Sequence, residues 1–249
     1  MNKLKNIIVT EAKDYKILLR NAPTVTMIFF TLSVVLMNIF ASKELLNIEY
    51  LALDCGFLLS WMSFLCMDML TKRFGARAAI KLSLFAVFMN LICSGIFFFV
   101  SRIGNNWSVF YNFNDSIAND AVNGVFGGTW YVLVGSMTAF IVSAIVNAII
   151  NDGIGKLIKK KNFFEYAMRS YVSTAIGQFV DNFVFATIVS KVFFGWTWTQ
   201  VVFCSIAGAA AELLSEVVFS PVGFKVCKRW EKEEVGKEYI DFTKEAAKT

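Results

Sequence analysis

Six apolar runs, each long enough to cross a bilayer, divide the chain: residues 23–41, 51–70, 78–100, 129–150, 173–194 and 199–220. A hydrocarbon core of ~30 Å takes roughly 20 helical residues, and nothing in that core answers an open backbone amide. Only helices or a closed barrel can therefore span it. The runs lack period-2 alternation, which argues against a barrel. The expected fold is an all-α integral membrane protein, a bundle of six transmembrane helices. Composition agrees, with 57% of the 249 residues hydrophobic and 17% charged, against about 25% charged in soluble domains. Residues 1–22 and 222–249 are charged segments flanking a membrane domain at 23–221.

Basic residues orient the bundle. Of the 24 Lys and Arg, twenty-one lie before the first run, in the turns after the second and fourth, or beyond the sixth. Only Lys43, Arg102 and Lys191 fall on the opposite side. The positive-inside rule then puts both termini in the cytoplasm of a cell bounded by this plasma membrane. Trp107, Tyr111, Trp130, Tyr131, Trp196 and Trp198 gather at the other ends, as an interfacial aromatic belt does. The net charge of +5 reads as this topogenic signal plus attraction to anionic lipid, so no nucleic-acid partner is expected. The first 22 residues read as an amphipathic segment rather than a cleaved signal. The external stretch 101–128, rich in Asn and Gly, has room for a re-entrant piece or a lid.

Absences narrow the chemistry. The chain has no His, which excludes HExxH metalloprotease and Ser–His chemistry, and it has neither a Walker A loop nor GxGxxG. Five cysteines without CxxC spacing read as small buried residues. No enzyme activity, cofactor or metal is expected.

Acids inside the runs carry the functional signal, because a charge in a bilayer is costly and usually faces the bundle interior. They are Asp54, Asp68, Asp181, Glu212 and Glu216, with no mid-run Lys or Arg to neutralise them. Gln178, Asp181 and Asn182 stand at i, i+3 and i+4 on one face, as do Glu212 and Glu216. Ser143, Asn147 and Asn151 repeat the spacing on the fourth run, and Asn90 lies in the third. Asp54 and Asp68, fourteen residues apart, share one face if the second run is helical throughout. Each has a bland alternative: an ion pair with Lys72 for Asp68, the outer interface for Asp54, a tie to Lys225 or Arg169 for Glu216, and interhelical hydrogen bonding for Asp181, Asn90, Asn147 and Asn151. Five runs can nonetheless turn a polar stripe inward, which suits binding and moving a small donor-rich molecule or a cation.

Two blocks carry a family resemblance. FLCMDMLTKRFGARAAIKLSLF, residues 64–85, resembles the vitamin uptake transporter family, whose best-known members are queuosine-precursor transporters; Asp68, Arg73, Phe74, Gly75, Ala78 and Ala79 fall on its pattern. RSYVSTAIGQFVDNFVFATIV, residues 169–189, resembles a second family helix through Ser173, Thr174, Gly177, Gln178, Asp181 and Phe185. Lys72 and Arg73 stand where many members have an acid in the turn, and the Glu212/Glu216 pair has no match.

The resemblance implies import of 7-deazaguanine bases, the cyano or aminomethyl precursors or queuine, for tRNA modification. One carboxylate can accept the ring N1–H and the exocyclic amine together. Asp181 with Gln178 is the expected base-reading pair. Asn182 would serve the carbonyl edge, Asp68 or Glu212 would meet an aminomethyl cation, and Asn90 and Asn147 would complete the substrate site. Asp68 and Arg73 form the expected cytoplasmic gate or coupling pair. Partners are then a small molecule and the lipid bilayer, and a homo-oligomer is compatible with this reading. The alternative is a substrate-binding membrane subunit of a multi-component vitamin transporter, docking its partner through the small-residue run 207–211.

Overall fold

A computed structural model describes residues 2–104, 107, 116–157 and 163–246, with the side chains of 2–9, 147–148, 151–171, 173, 216–217, 220 and 246 outside the described set. It is almost wholly helical. Helices α1 (Asn2–Asn21), α2 (Thr24–Phe40), α3 (Phe57–Phe74), α4 (Ala76–Val100), α5 (Ser116–Leu157), α6 (Phe163–Phe185), α7 (Lys191–Phe194), α8 (Trp198–Lys232) and α9 (Lys237–Ala246) follow in order, with a hairpin of β1 (Glu44–Asn47) and β2 (Ala52–Asp54) after α2. Six long helices close a ring: α2 packs on α3, α3 on α8, α8 on α6, α6 on α5, α5 on α4 and α4 back on α2. Among the described residues, four helical segments are long and apolar enough to cross a membrane alone, Ala76–Val100, Ser116–Val146, Thr174–Phe194 and Trp198–Ser215. The pair α1–α2 qualifies as a fifth despite a 102° bend. Helix α3 falls outside this set: its 18 residues include the charged Asp68, Lys72 and Arg73.

Pro23 makes that bend. Its fixed φ of −66° and extended ψ of 108° end α1, and the helix resumes at Thr24. Helix α1 therefore lies across one end of the bundle, where α9 packs beside it. Arg20 and Asn21 hold Glu238 of α9. Glu11 accepts from Arg77 at 2.5 Å and from Lys81 at 2.6 Å, and Asp14 pairs with Lys81 as well. Both terminal helices are thus clamped to the basic α3–α4 turn. At Gly236 the backbone takes φ +75°, and a Cβ there would stand 2.1 Å from the Phe74 ring, so only glycine lets α9 dock. Beneath lies the main core, including Leu18, Phe30, Leu70, Leu82, Cys227 and Trp230.

The hairpin caps the opposite end and overturns one expectation. Residues 51–56, read as the start of the second transmembrane helix, form β2 and a turn, so Asp54 and Asp68 do not share a helical face. Asp54 Oδ1 accepts the Gly56 N–H at 2.9 Å, an Asx-type turn that competes with helix at this position. Strands pair antiparallel with Glu44 opposite Asp54 and Asn47 opposite Ala52. The start of α8 fastens them: Thr197 and Gln200 form a capping box, and Gln200 Nε2 also donates to Asn47 Oδ1 at 2.8 Å and Ile48 O at 3.0 Å. Trp196 corrects a second expectation. It is 1% exposed and donates to Glu44 Oε1 at 2.7 Å, so it anchors the hairpin instead of lying in an interfacial belt. Trp130 and Trp198 are exposed; Tyr111 lies outside the described residues.

Glu11 gives the terminal clamp a pH signature. Its hydrogen bond with Lys81, helped by the charges of Lys81 and Arg77, holds the carboxyl below its ordinary range. A depressed carboxylate stabilises the fold fully above its unfolded pKa, and that contribution is lost as pH falls through the lower folded value. The wild type should therefore melt higher in detergent than Glu11→Gln at pH 6–8, with the gap closing below about pH 4.5. A gap independent of pH would show that the clamp does not depend on this charge.

Candidate functional site

Within the ring, on the hairpin side, a cleft of about 90 Å³ is lined by α2, the hairpin, α3, α5, α6 and α8. Asp54, Asp181 and Glu212 bring carboxylates to it, Asn38 and Asn182 amides, and Phe57, Phe64 and Phe185 rings. None of its lining residues is Lys or Arg. Three acids in an enclosed apolar bundle are tenable only where donors meet them, and the local geometry shows which do.

Asp181 Oδ1 accepts from Ser143 Oγ of α5 at 2.9 Å. Asn182, one residue on, donates from Nδ2 to the Gln178 carbonyl at 2.9 Å and to Glu212 Oε1 at 3.1 Å. This second bond ties α6 to α8 and is charge-assisted, a class worth ~1.5–3 kcal/mol. Close approach of the helices permits it. A Cβ on Gly208 of α8 would stand 2.4 Å from Asn182 Oδ1, and one on Gly135 of α5 2.3 Å from Val189 Cγ2. Downstream, residues 186–190 form a π-helical turn, a local widening frequent at functional sites. That turn brings Ser190 Oγ to within 3.5 Å of Asp54 Oδ2. A Cβ on Gly56 would lie 2.7 Å from Met37 O and 2.9 Å from Asp54 Oδ1, which places the end of α2 against the Asp54 turn.

The expected site residues thus separate. Asp181, Asn182 and Glu212 meet in one cleft. Gln178 is buried behind its wall, with Oε1 unpartnered among the described residues. Asn90 is buried in α4 away from the cleft, and its Nδ2 is likewise unpartnered. The side chains of Asn147, Asn151, Ser173 and Glu216 lie outside the described residues. Asp68 is exposed on α3, toward the terminal helices. Arg73 donates to the Val235 carbonyl from Nε at 2.9 Å and from a terminal guanidinium nitrogen at 2.7 Å, making no ion pair with Asp68 among the described residues. Lys72, the other expected partner of Asp68, sits 4.4 Å over the Phe224 ring instead. Along the run 207–211, Gly208 and Ala209 are buried against the bundle while Ala210 is exposed.

Asn38, Ser60, Ser136 and Ser190 escaped the sequence reading. Asn38 was the legible one, a lone amide one turn from the end of the first apolar run. The serines bond locally within helices in so many membrane proteins that their presence carries little signal.

A ring of apolar helices around an acidic, aromatic cleft defines a polytopic membrane protein. The chain matches, over residues 54–226, the family described as "Putative vitamin uptake transporter", and it belongs to that family. It is accordingly a multi-pass membrane transporter with a small-molecule substrate. No curated protein and no solved structure matches it.

Gly208→Ala tests the α6–α8 tie. Overpacking at a close helix contact costs roughly 1–3 kcal/mol, and the displaced Asn182 would release Glu212. The variant should melt several degrees lower in detergent, and Asn182→Ala should remove most of the further cost of Gly208→Ala. Additive losses would mean that the clash lies elsewhere.

Proposed function

We propose that this protein imports 7-deazaguanine bases, queuosine precursors or queuine, into the cytoplasm for tRNA modification. The single observation that carries the reading is the lining of the cleft: three carboxylates, two amides and three Phe rings without a basic residue. Such a wall favours a flat ligand rich in N–H donors and disfavours an anion. Family membership supplies the transport function, and the chemistry of the wall favours this substrate class within it.

In this reading Asp181 accepts the ring N1–H and the exocyclic amine, with Ser143 fixing its carboxylate. Phe57, Phe64 or Phe185 covers the ring face. Gln178 and Asn182 brace the reading helix, Glu212 or Asp54 answers an aminomethyl cation, and Asn90 and Asn147 support the neighbouring walls. A cleft of about 90 Å³ is smaller than the ~300–1,000 Å³ of most ligand sites, so a bicyclic base enters by displacing the hairpin or the α3 side chains. All six ring helices then span the bilayer within 23–221, and both termini face the cytoplasm, as the clustering of α1, α9 and the basic α3–α4 turn at one end supports. Asp68 and Arg73 form the inner gate, which opens when Arg73 releases Val235.

Cells lacking their own precursor synthesis and uptake provide the test. Expressing this chain and feeding each base in turn should restore queuosine in tRNA. Asp181→Ala should cut uptake at least tenfold, since losing a charge-assisted pair costs ~1.5–3 kcal/mol, while its amount in the membrane stays normal. Wild-type uptake by that variant would remove Asp181 from the role.

A further inference from the structure

The cleft is rich in acceptors, so its unspent donors decide which ligand face it can read. Asn182, the amide expected to serve a carbonyl, has committed Nδ2 to Gln178 and Glu212. The Ser60 hydroxyl donates to the Phe57 carbonyl at 3.0 Å within its own helix, and Ser190 leans toward Asp54. Asn38 differs. It is 2% exposed, lines the cleft, and its Nδ2 has no hydrogen-bond partner among the described residues. The buried atoms Asn90 Nδ2, Ser94 Oγ, Gln178 Oε1 and Thr187 Oγ1 share that condition, yet none of those residues lines the cleft.

An amide that served only to join helices would have spent its donors on a neighbouring helix. A buried donor left open in an apolar bundle destabilises the resting fold, and a ligand acceptor removes that cost. Its surroundings support this use. Asn38 follows Met37, whose carbonyl lies against Gly56 beside the Asp54 carboxylate. Asn38 and Asp54 both line the cleft, so it offers a donor and an acceptor to a ligand edge on which a carbonyl neighbours N–H groups.

We propose that Asn38 is a specificity-determining residue, donating from Nδ2 to a carbonyl of the substrate while the cleft carboxylates accept from its N–H groups. This assignment rests on the deazaguanine reading above, in which the acceptor is the six-ring carbonyl. It moves carbonyl recognition from α6 to the end of α2.

Two bases separate the assignment from that reading: 7-deazaguanine and 7-deaza-6-thioguanine, which keeps N1–H and the amine but replaces the carbonyl oxygen with a weakly accepting sulfur. Binding to the purified full-length protein is read as the base-induced rise in unfolding temperature across a concentration series. Wild type should favour the oxygen compound roughly tenfold or more, because a buried site donor rejects a ligand lacking its acceptor. Asn38→Ala should bring the ratio near one, and Asn38→Ser, which keeps a hydroxyl donor, should restore part of it. An unchanged ratio in Asn38→Ala overturns the assignment. So does a failure of both variants to purify folded, which would make Asn38 a packing residue. If wild type binds neither base, the deazaguanine reading itself falls; binding of both without preference removes Asn38 alone.

Discussion

Carboxylates inside a bilayer must be answered by protein donors, and the bonds that answer Asp181 and Glu212 govern the centre of this bundle. Ser143 reaches Asp181 across the α5–α6 contact, and Asn182 reaches Glu212 across the α6–α8 contact. Each bond works only with the helix backbones close together, which is why Gly135 and Gly208 stand where a Cβ would collide with the partner helix. Small residues at the helix contacts and acids in the cleft are therefore one arrangement: the first permits the approach that makes the second affordable.

The two ends of the molecule close by different physics. At the hairpin end the closure is short-range and directional: Gln200 and Trp196 hold β1 and β2 through hydrogen bonds, and Asp54 turns the chain into α3. At the terminal end it is largely ionic, with Glu11, Asp14 and Glu238 meeting the basic residues of α1 and the α3–α4 turn, and Arg73 seated on the Val235 carbonyl. Within the clamp the exposed Arg20–Glu238 and Arg77–Glu11 pairs are individually weak, whereas the largely buried Lys81–Asp14 pair is costly to part, as are the buried hydrogen bonds of the hairpin end. Asp68 lies on α3 beside this terminal end.

Much of this was legible in the sequence, for reasons that vary by element. The apolar runs revealed the long helices because a bilayer imposes length and composition together, and the asymmetry of Lys and Arg revealed which turns cluster, since α1, α9 and the α3–α4 turn do meet. Asp181 and Asn182, expected on the face of Gln178, line the cleft together with Glu212 of α8. The hairpin was hidden: residues 51–56 are apolar enough to extend the helix that follows, and only the Asp54–Gly56 turn argues otherwise. Gln178 shows the limit of face arithmetic, since one turn from Asp181 along the same face it lies behind the wall. The partners of Arg73 and Lys72 were illegible because they come from residues 224 and 235, more than 150 positions away.

Asn38 carries the last consequence. A binding site formed by Asp181, Asn182 and Glu212 alone would sit entirely on α6 and α8, and a ligand there would have no reason to alter the other half of the ring. With Asp54 and Asn38 in the same cleft, a ligand bridges α6 and α8 to the hairpin and the end of α2. Binding energy then acts between the two halves, which is the condition for a substrate to shift one against the other. Because α2 continues through Pro23 into α1, and α1 is part of the ionic clamp at the far end, Asn38 and the clamp lie on one continuous stretch of chain, the physical connection such a coupling would need.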